Sequence, residues 1–150
     1  SDSEGKGIVF LLPSGGNSGG THFRGNPTNS FINDLNQKGY EINEVPIRLI
    51  DEIVGTRKVA LIKIDIEGAE PYALKGALNT LKISKPSILC ELNPICLMDN
   101  GRMKPEEFLE FMESLNYKGF ILREDGTMGD EINKKWIFGK EWKNVIFNPI

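Results

Sequence analysis

The sequence of 150 residues contains few of the features that mark membrane, secreted or disulfide-bonded proteins. No apolar run approaches the length of about 20 residues that a bilayer-spanning helix needs. The two cysteines, Cys90 and Cys96, have no metal-type spacing, so the sequence predicts a reducing, cytoplasmic location. The first seven residues are polar, which predicts no signal peptide and no membrane partner.

Positive charge is not in excess either, because the net charge is −3 and the isoelectric point is near 5.3. This balance argues against nucleic acid as a partner, since such binding depends on basic residues that contact phosphates. The hydrophobic content of 39% and the charged content of 26% are typical of ordinary globular proteins. No repeat or linker divides the chain, so we expect residues 1–150 to form a single domain.

The most informative stretch is 59–81, which predicts a strand, a short acidic turn and a helix. Residues 59–66 are rich in Val, Leu and Ile, the composition of a strand that is covered on both faces. Pro71 suits the first turn of a helix, and apolar residues follow at helical spacing, at positions 74, 77, 78 and 81. The pattern therefore predicts a helix over 71–81 that lies on a sheet.

Acidic residues follow the end of this predicted strand. Alternation in an extended chain points Lys63, Asp65 and Glu67 to the same side, and Glu70 comes close behind. Negative groups are favoured at the N-terminus of a helix, and ligands of open α/β sheets collect at the carboxyl ends of strands. This corner is therefore either a capped turn or the rim of an active site.

The rest of the chain predicts elements on both sides of this stretch. Strands are expected at 7–12, 41–49, 87–92, 119–124 and 144–148, and the last two are expected to be antiparallel. Short helical turns are expected within 28–38 and at 50–54, and a longer helix begins at Pro105. Residues 14–29, 82–85 and 95–104 are expected to be irregular connections. The order of strand, helix and strand over 59–92 predicts a βαβ unit.

The glycine-rich loop of residues 15–22 contains Asn17 and His22, two further candidate binding residues. Its glycines would let backbone N–H groups approach a ligand closely. It fails as a dinucleotide-binding fingerprint, because the third glycine is misplaced and no helix follows. Two interpretations stay open: a flexible or substrate-facing loop, and a phosphate cradle.

Several segments together resemble the FkbM-type S-adenosylmethionine-dependent methyltransferases. The most specific is 61–70, which reads LIKIDIEGAE, and it is followed by LKGA at 74–77 and PSILCE at 86–91. Asn17-Ser18-Gly19-Gly20 also looks like a loop of that family, and residues 115–117 and 144–149 resemble its last strands. The resemblance covers nearly the whole chain.

The resemblance implies a fold and a reaction. The fold would be a Rossmann-like class I methyltransferase of the α/β class, with antiparallel closing strands at the C-terminus. The family's first three strands have no counterpart here, so we expect a partial methyltransferase domain that is truncated at its N-terminus. The reaction would use S-adenosylmethionine to methylate a hydroxyl group of a small molecule, a sugar or a secondary metabolite.

Within this interpretation, we expect Asp65, Glu67 and Glu91 to be catalytic, with Asp65 also near the cofactor. Because Lys63 lies about 7 Å away on the same side of the strand, Asp65 suits orienting the acceptor better than taking its proton. The alternative for Asp65 is a turn cap or a partner for Lys63.

Asn17, His22 and Glu70 are expected to bind the substrate. A single loop histidine is more often incidental than functional, and Glu70 before Pro71 is also suited to capping a helix. Glu91 lies at the carboxyl end of the neighbouring predicted strand, which predicts that it faces the same cleft as Asp65. Its structural alternative is to be the partner of a lysine or of a backbone N–H group.

Two other classes of function remain open. The acidic residues Asp65, Glu67, Glu70 and Glu91 suit a magnesium ion, which prefers oxygen ligands, although no second motif supplies phosphate contacts and no metal site is expected. The other class is an inactive remnant or interaction module. In a truncated domain, strand 59–66 would be an exposed edge through which the chain could associate with itself.

Overall fold

The computed structural model describes residues 5–11, 21–25, 27–133 and 141–150 of the chain. The described part is a mixed α/β structure with two separate sheets, one of three strands and one of five. None of the described helices is long and apolar enough to cross a membrane.

The three-stranded sheet is built from the first part of the chain and is antiparallel. Its strands are β1 (Gly5–Leu11), β2 (Thr21–Gly25) and β3 (Glu41–Ile47), in the order β2-β1-β3. The predictions of β1 and β3 are confirmed. The prediction of a loop over 14–29 is wrong for β2, because the partner strand β1 stabilises an extended segment that has no clear alternation of its own.

Helix α1 (Asn29–Gln37) separates β2 from β3 and is longer than the short turn that was predicted. The side chain of Thr28 accepts a hydrogen bond from the Phe31 N–H group at 3.3 Å and so caps the first turn. Leu35 is buried, and the guanidinium of Arg24 lies 5.2 Å from the centre of the Phe31 ring. The cap and these contacts together stabilise nine helical residues.

The five-stranded sheet holds the acidic corner at one of its edges. Its strands are β4 (Leu61–Ile64), β5 (Ser87–Leu92), β6 (Tyr117–Leu122), β7 (Met128–Glu131) and β8 (Lys143–Pro149). The order is β4-β5-β8-β6-β7, in which β4 and β5 are parallel and the other pairs are antiparallel. The predicted parallel pair and the antiparallel closing strands are confirmed.

Strand β4 differs from its prediction in length and in burial. It has four residues rather than the eight of 59–66, and it lies at the edge of the sheet. Ile64 is buried, but Leu61 is 58% exposed and Lys63 is also exposed. The expectation of a strand covered on both faces is therefore wrong, because an edge strand with one open face keeps every second side chain in contact with solvent.

Five helices accompany this sheet: α2 (Ile50–Val54), α3 (Glu70–Lys75), α4 (Leu78–Ser84), α5 (Pro94–Asp99) and α6 (Pro105–Ser114). The predictions of α2 and α6 are confirmed. The single helix expected over 71–81 is two helices, interrupted at Gly76 and Ala77, and the second extends through most of the connection expected at 82–85. The irregular segment expected at 95–104 contains most of α5.

The core lies on one face of the five-stranded sheet. It contains Ile88, Cys90 and Leu92, alternate residues of β5 that are all nearly inaccessible to solvent. Apolar residues of α3, α4, α6 and β8 pack on them, among them Leu74, Leu81, Phe108, Met112, Val145 and Phe147. The rings of Phe108 and Phe147 meet edge to face, with centroids 5.9 Å apart. This core holds β4 and β5 side by side, so that their carboxyl ends meet at one corner.

Candidate functional site

The acidic corner is formed by the turn after β4 and by the end of β5. Strand β4 ends at Ile64 opposite Cys90, so Asp65 and Glu91 follow as the next pair along the two strands. The side chain of Asp65 is 51% exposed, and its Oδ2 lies 3.6 Å from Nζ of Lys63. The sequence prediction that these two carboxylates share one corner agrees with the pairing of the strands.

A cleft of about 390 Å³ lies directly beside Asp65. Its walls are mainly the apolar residues Ile50, Ile62, Ile64, Ile66 and Ala73, together with Lys63 and Asp65. The cleft therefore combines an apolar lining with one carboxylate and one ammonium group. Such a lining suits a small molecule that presents a polar group to one end.

Glu91 interacts electrostatically with the other groups of this corner. Burial raises the pKa of Glu91, and the negative charges of Asp65 and Glu67 raise it further, while Lys63 lowers it. A carboxyl group whose pKa is moved upward, toward neutral pH, is a better proton acceptor at that pH than an ordinary one. Glu91 is thus a partly exposed residue of the corner whose environment strengthens it as a base.

Glu67 lies at the tightest point of the turn. Its φ angle is +52°, and the following Gly68 has a φ of +93°, a region that favours glycine. The Asn100 side-chain amide donates a hydrogen bond to the Glu67 carbonyl oxygen at 2.6 Å. The Cys96 thiol points to the Glu67 carboxylate, with Sγ 3.9 Å from Oε2. Helix α5, through Cys96, and the following residue Asn100 therefore stabilise the conformation of this turn.

The backbone of the turn packs against α5 with no space for a further atom. A Cβ at Gly68 would overlap the carbonyl group of Cys96, and a Cβ at Gly101 would overlap the carbonyl oxygen of Gly68. Burial, followed by the charge of Glu67, raises the pKa of Cys96, so that its thiol stays protonated at neutral pH. Cys96 is therefore a packing and hydrogen-bonding residue of the corner.

Glu70 lies on the inner side of the turn and is only 1% exposed. Its Oε1 accepts hydrogen bonds from the N–H groups of Ile66 and Gly68, both at 3.3 Å, while Oε2 has no hydrogen-bond partner among the described residues. Burial, and to a smaller extent the charge of Asp65, raise the pKa of Glu70. This geometry stabilises the turn itself, and it differs from the cap on helix α3 that the sequence suggested.

The two remaining candidates belong to the first part of the chain. His22 lies in β2, where it pairs with Phe10 of β1, rather than in the irregular loop that was expected. Asn17 lies outside the described residues. Asp65, Glu67, Glu70 and Glu91 thus lie together at the corner, and the assignment of His22 and Asn17 to substrate binding stays a prediction.

No group of three or more metal-ligating side chains within the described residues has the geometry to hold a metal ion. The magnesium interpretation of the acidic corner therefore finds no support in its geometry. Asn100 is a residue of the corner that the sequence interpretation missed, because residues 95–104 were expected to be irregular. The Asn93-Pro94 pair was the available signal, since Asn93 caps α5 and Pro94 begins it.

Comparison with known proteins gives one result that bears on this corner. A family model described as the methyltransferase FkbM domain matches residues 2–120, which include β4, the acidic turn and β5. No curated protein and no solved structure matches the chain.

Proposed function

Since the chain belongs to the FkbM methyltransferase family, we propose that it transfers the methyl group of S-adenosylmethionine to a hydroxyl oxygen of a small molecule. The observation that carries the proposal is the cleft of about 390 Å³ beside the exposed carboxylate of Asp65, at the carboxyl ends of two parallel strands. A sugar or a secondary metabolite is the acceptor class that the family resemblance favours.

The chemistry of the corner fits the reactive part of this cofactor. S-adenosylmethionine has a positively charged sulfonium group, and three partly or fully exposed carboxylates, Asp65, Glu67 and Glu91, give the corner a negative field that attracts a cation. When bound, the cofactor supplies an activated methyl group. We place Asp65 nearest to it, because its side chain lines the cleft.

The protein must then position the acceptor oxygen and exclude water from the transfer. Asp65 accepts a hydrogen bond from the acceptor hydroxyl and so orients the oxygen toward the methyl group. The apolar walls formed by Ile62, Ile64 and Ile66 displace water from the acceptor. Lys63, which is ion-paired with Asp65 at 3.6 Å, fixes the direction of that carboxylate.

The hydroxyl has one proton, which Asp65 holds in a hydrogen bond, and we propose that this proton passes from Asp65 to Glu91, the next carboxylate across the strand pair, as the oxygen takes the methyl group. The environment of Glu91 moves its pKa upward, which strengthens it as a base near neutral pH. Glu67 contributes negative charge to this environment. We assign Glu70 a positioning role, because its buried carboxylate accepts hydrogen bonds from two backbone N–H groups of the turn and so stabilises the conformation of the turn. Asn17 and His22 remain proposed contacts to the acceptor.

We propose that residues 1–150 form a single Rossmann-like methyltransferase unit that acts in the cytoplasm. The order of the five-stranded sheet and the parallel β4–β5 pair support an α/β methyltransferase-like arrangement. Its partners would be the cofactor and a small hydroxyl compound, without nucleic acid or membrane. An inactive fragment or interaction module is the alternative, favoured by the position of β4 as the first strand of the five-stranded sheet among the described residues.

The experiment that tests the proposal measures thermal unfolding of the purified chain with S-adenosylmethionine, with magnesium chloride, and with neither. Stabilisation by the cofactor that rises with its concentration is the expected result, since a ligand of the folded state raises its free energy of unfolding. A matched series with Asp65→Asn should show weaker stabilisation. Stabilisation by magnesium alone, or by neither compound, would contradict the proposal.

A further inference from the structure

Asn100, the residue that follows α5, connects this helix to the acidic turn. Its side-chain Nδ2 donates a hydrogen bond to the Glu67 carbonyl oxygen at 2.6 Å. Its backbone N–H group donates to the Cys96 carbonyl oxygen at 2.8 Å, so the backbone of Asn100 is itself fixed by α5. Asn100 is half-buried between the two elements. The position of Glu67 therefore depends on the C-terminal end of α5.

Glu67 needs such a contact, because its backbone has an unfavourable conformation. Its φ of +52° lies in the left-handed region, which residues other than glycine adopt rarely. A residue in this region keeps its conformation only where the surrounding structure determines it. The hydrogen bond from Asn100 is accepted by the carbonyl group of Glu67 itself, so it acts directly on the residue that is strained.

The carboxylate of Glu67 has a contact of its own with α5. Sγ of Cys96 lies 3.9 Å from Oε2 of Glu67. Burial raises the pKa of the Cys96 thiol, so the thiol keeps its proton and can donate it toward the carboxylate. Asn100 thus fixes the backbone of Glu67 and Cys96 fixes its side chain. The last turn of α5 determines where the negative charge of Glu67 lies.

Glu91 is the group on which the position of this charge has an effect. Among the described residues, three charged groups act on it: Asp65 and Glu67 of the turn and Lys63 of β4. On the other side of β5, strand β8 places the uncharged Asn144 opposite Glu91. The interaction between two charges weakens with distance, so the effect of Glu67 on Glu91 depends on how firmly Glu67 is held.

We propose that Asn100 is a positioning residue of the methyl transfer proposed above, and that it holds Glu67 so that its carboxylate stays beside Glu91. This role rests on the proposed function, in which the acceptor oxygen gains the methyl group, a neutral thioether is released, and the hydroxyl proton ends on Glu91. A negative charge beside Glu91 disfavours its ionised form and so makes it a stronger base for that proton. Asn100 acts on the reaction through Glu67.

A double-mutant cycle on the free chain tests this coupling without cofactor or acceptor. Titration of the Glu91 carboxyl group, followed by carbon NMR, measures its pKa in each variant. Glu67→Gln removes the neighbouring charge, so the pKa of Glu91 should fall. Asn100→Ala should cause about half of that fall or more, and no further fall in the Glu67→Gln background. Asn33→Ala, at an exposed position of α1, is the control and should leave the pKa of Glu91 unchanged.

The pH profile of methyl transfer tests whether the coupling serves the reaction. The acidic limb of kcat/KM reports the pKa of the base in the free enzyme. In Asn100→Ala this limb should move to lower pH, and the rate on the plateau should fall about threefold or more, because Glu91 is a weaker base. A purely structural role of Asn100 would lower the amount of folded enzyme and leave the limb in place.

Circular dichroism verifies that each variant is folded, and Asn100→Leu, which keeps the volume but cannot donate, replaces Asn100→Ala if the alanine variant is unfolded. An unchanged pKa of Glu91 in the Asn100 variant would overturn the proposal. Equal falls with and without the Glu67 carboxylate, or methyl transfer with an unmoved acidic limb, would also overturn it. Coupling in a chain that transfers no methyl group would contradict the proposed function instead and leave the link from Asn100 to Glu91 established.

Discussion

The acidic turn has an inner and an outer side, and their carboxylates have opposite environments. On the inner side Glu70 is 1% exposed and holds two backbone N–H groups. On the outer side Asp65 is half exposed and lines a cleft. Acidic residues five positions apart in the sequence thus divide into one that stabilises the turn and one that is ion-paired with Lys63 but accessible to a ligand. The acidic composition of a turn alone does not distinguish these two roles.

The largest expected effect is on the inner side, from Gly68→Ala. The new Cβ would overlap the Cys96 carbonyl group, and the φ of +93° is itself unfavourable for alanine. We expect a loss of more than about 3 kcal/mol in the free energy of unfolding, measured by urea denaturation.

The matched control for this variant is Gly126→Ala. Gly126 has a similar φ of +80° but no atom within 4 Å of a new Cβ, so about 1 kcal/mol should be lost. Equal losses in the two variants would show that the contact between α5 and the turn is not tight.

A smaller effect is expected from Asn100→Ala, which removes the hydrogen bond to the Glu67 carbonyl oxygen. The loss of one such bond should cost about 1–2 kcal/mol of unfolding free energy. Asn33→Ala, at an exposed position of α1, is the control and should change the stability by less than about 0.5 kcal/mol. A similar change in both variants would show that the hydrogen bond from Asn100 does not stabilise the turn.

The pH dependence of stability tests whether Glu70, on the inner side of the turn, ionises in the folded protein. Burial raises the pKa of Glu70 above its ordinary value of 4.5 in the folded protein. A raised pKa contributes stability that is complete below the unfolded pKa and is lost as the pH rises through the folded pKa. Glu70→Gln keeps an oxygen that accepts the two N–H groups but does not ionise. We therefore expect the wild type to lose stability relative to this variant as the pH rises above about 4.5.

Urea denaturation at several pH values measures this difference, with the exposed Glu113→Gln as the control. The control should follow the wild type across the whole series. A constant difference in stability between the wild type and Glu70→Gln would contradict a carboxyl group that titrates in the buried turn.

The elements of the βαβ unit show how far the sequence determines this fold. Strand β5 has the predicted bounds, because Pro86 and the Asn93-Pro94 pair mark both of its ends. The helix expected over 71–81 is broken by a contact from outside its own sequence. The Asp51 N–H group donates to the Gly76 carbonyl oxygen, and the Asp51 carboxylate caps the N–H groups of Asn79 and Thr80. The apolar periodicity of residues 71–81 gives no indication of this tertiary contact.

The same limit applies to the site. Alternation and the order of strands were enough to predict that Asp65 and Glu91 would meet at one corner. Burial of Glu70 was not predictable, because it depends on how the turn folds around the carboxylate and not on the local sequence pattern. Strand β2 was missed for a related reason. Its pairing with β1 stabilises it as a strand, although its own sequence lacks the alternation that is typical of a strand.

The central claim is that Asp65 acts on a ligand and that Glu70 stabilises the turn. Its most direct test measures both methyl transfer and unfolding in one variant of each residue. With labelled S-adenosylmethionine and an acceptor found in a panel of hydroxyl compounds, Asp65→Asn should lower turnover about 100-fold or more while its stability stays near that of the wild type. Glu70→Gln should change the pH dependence of stability and keep turnover within about tenfold. Near-normal turnover of Asp65→Asn, or a larger loss of turnover in Glu70→Gln, would contradict the account.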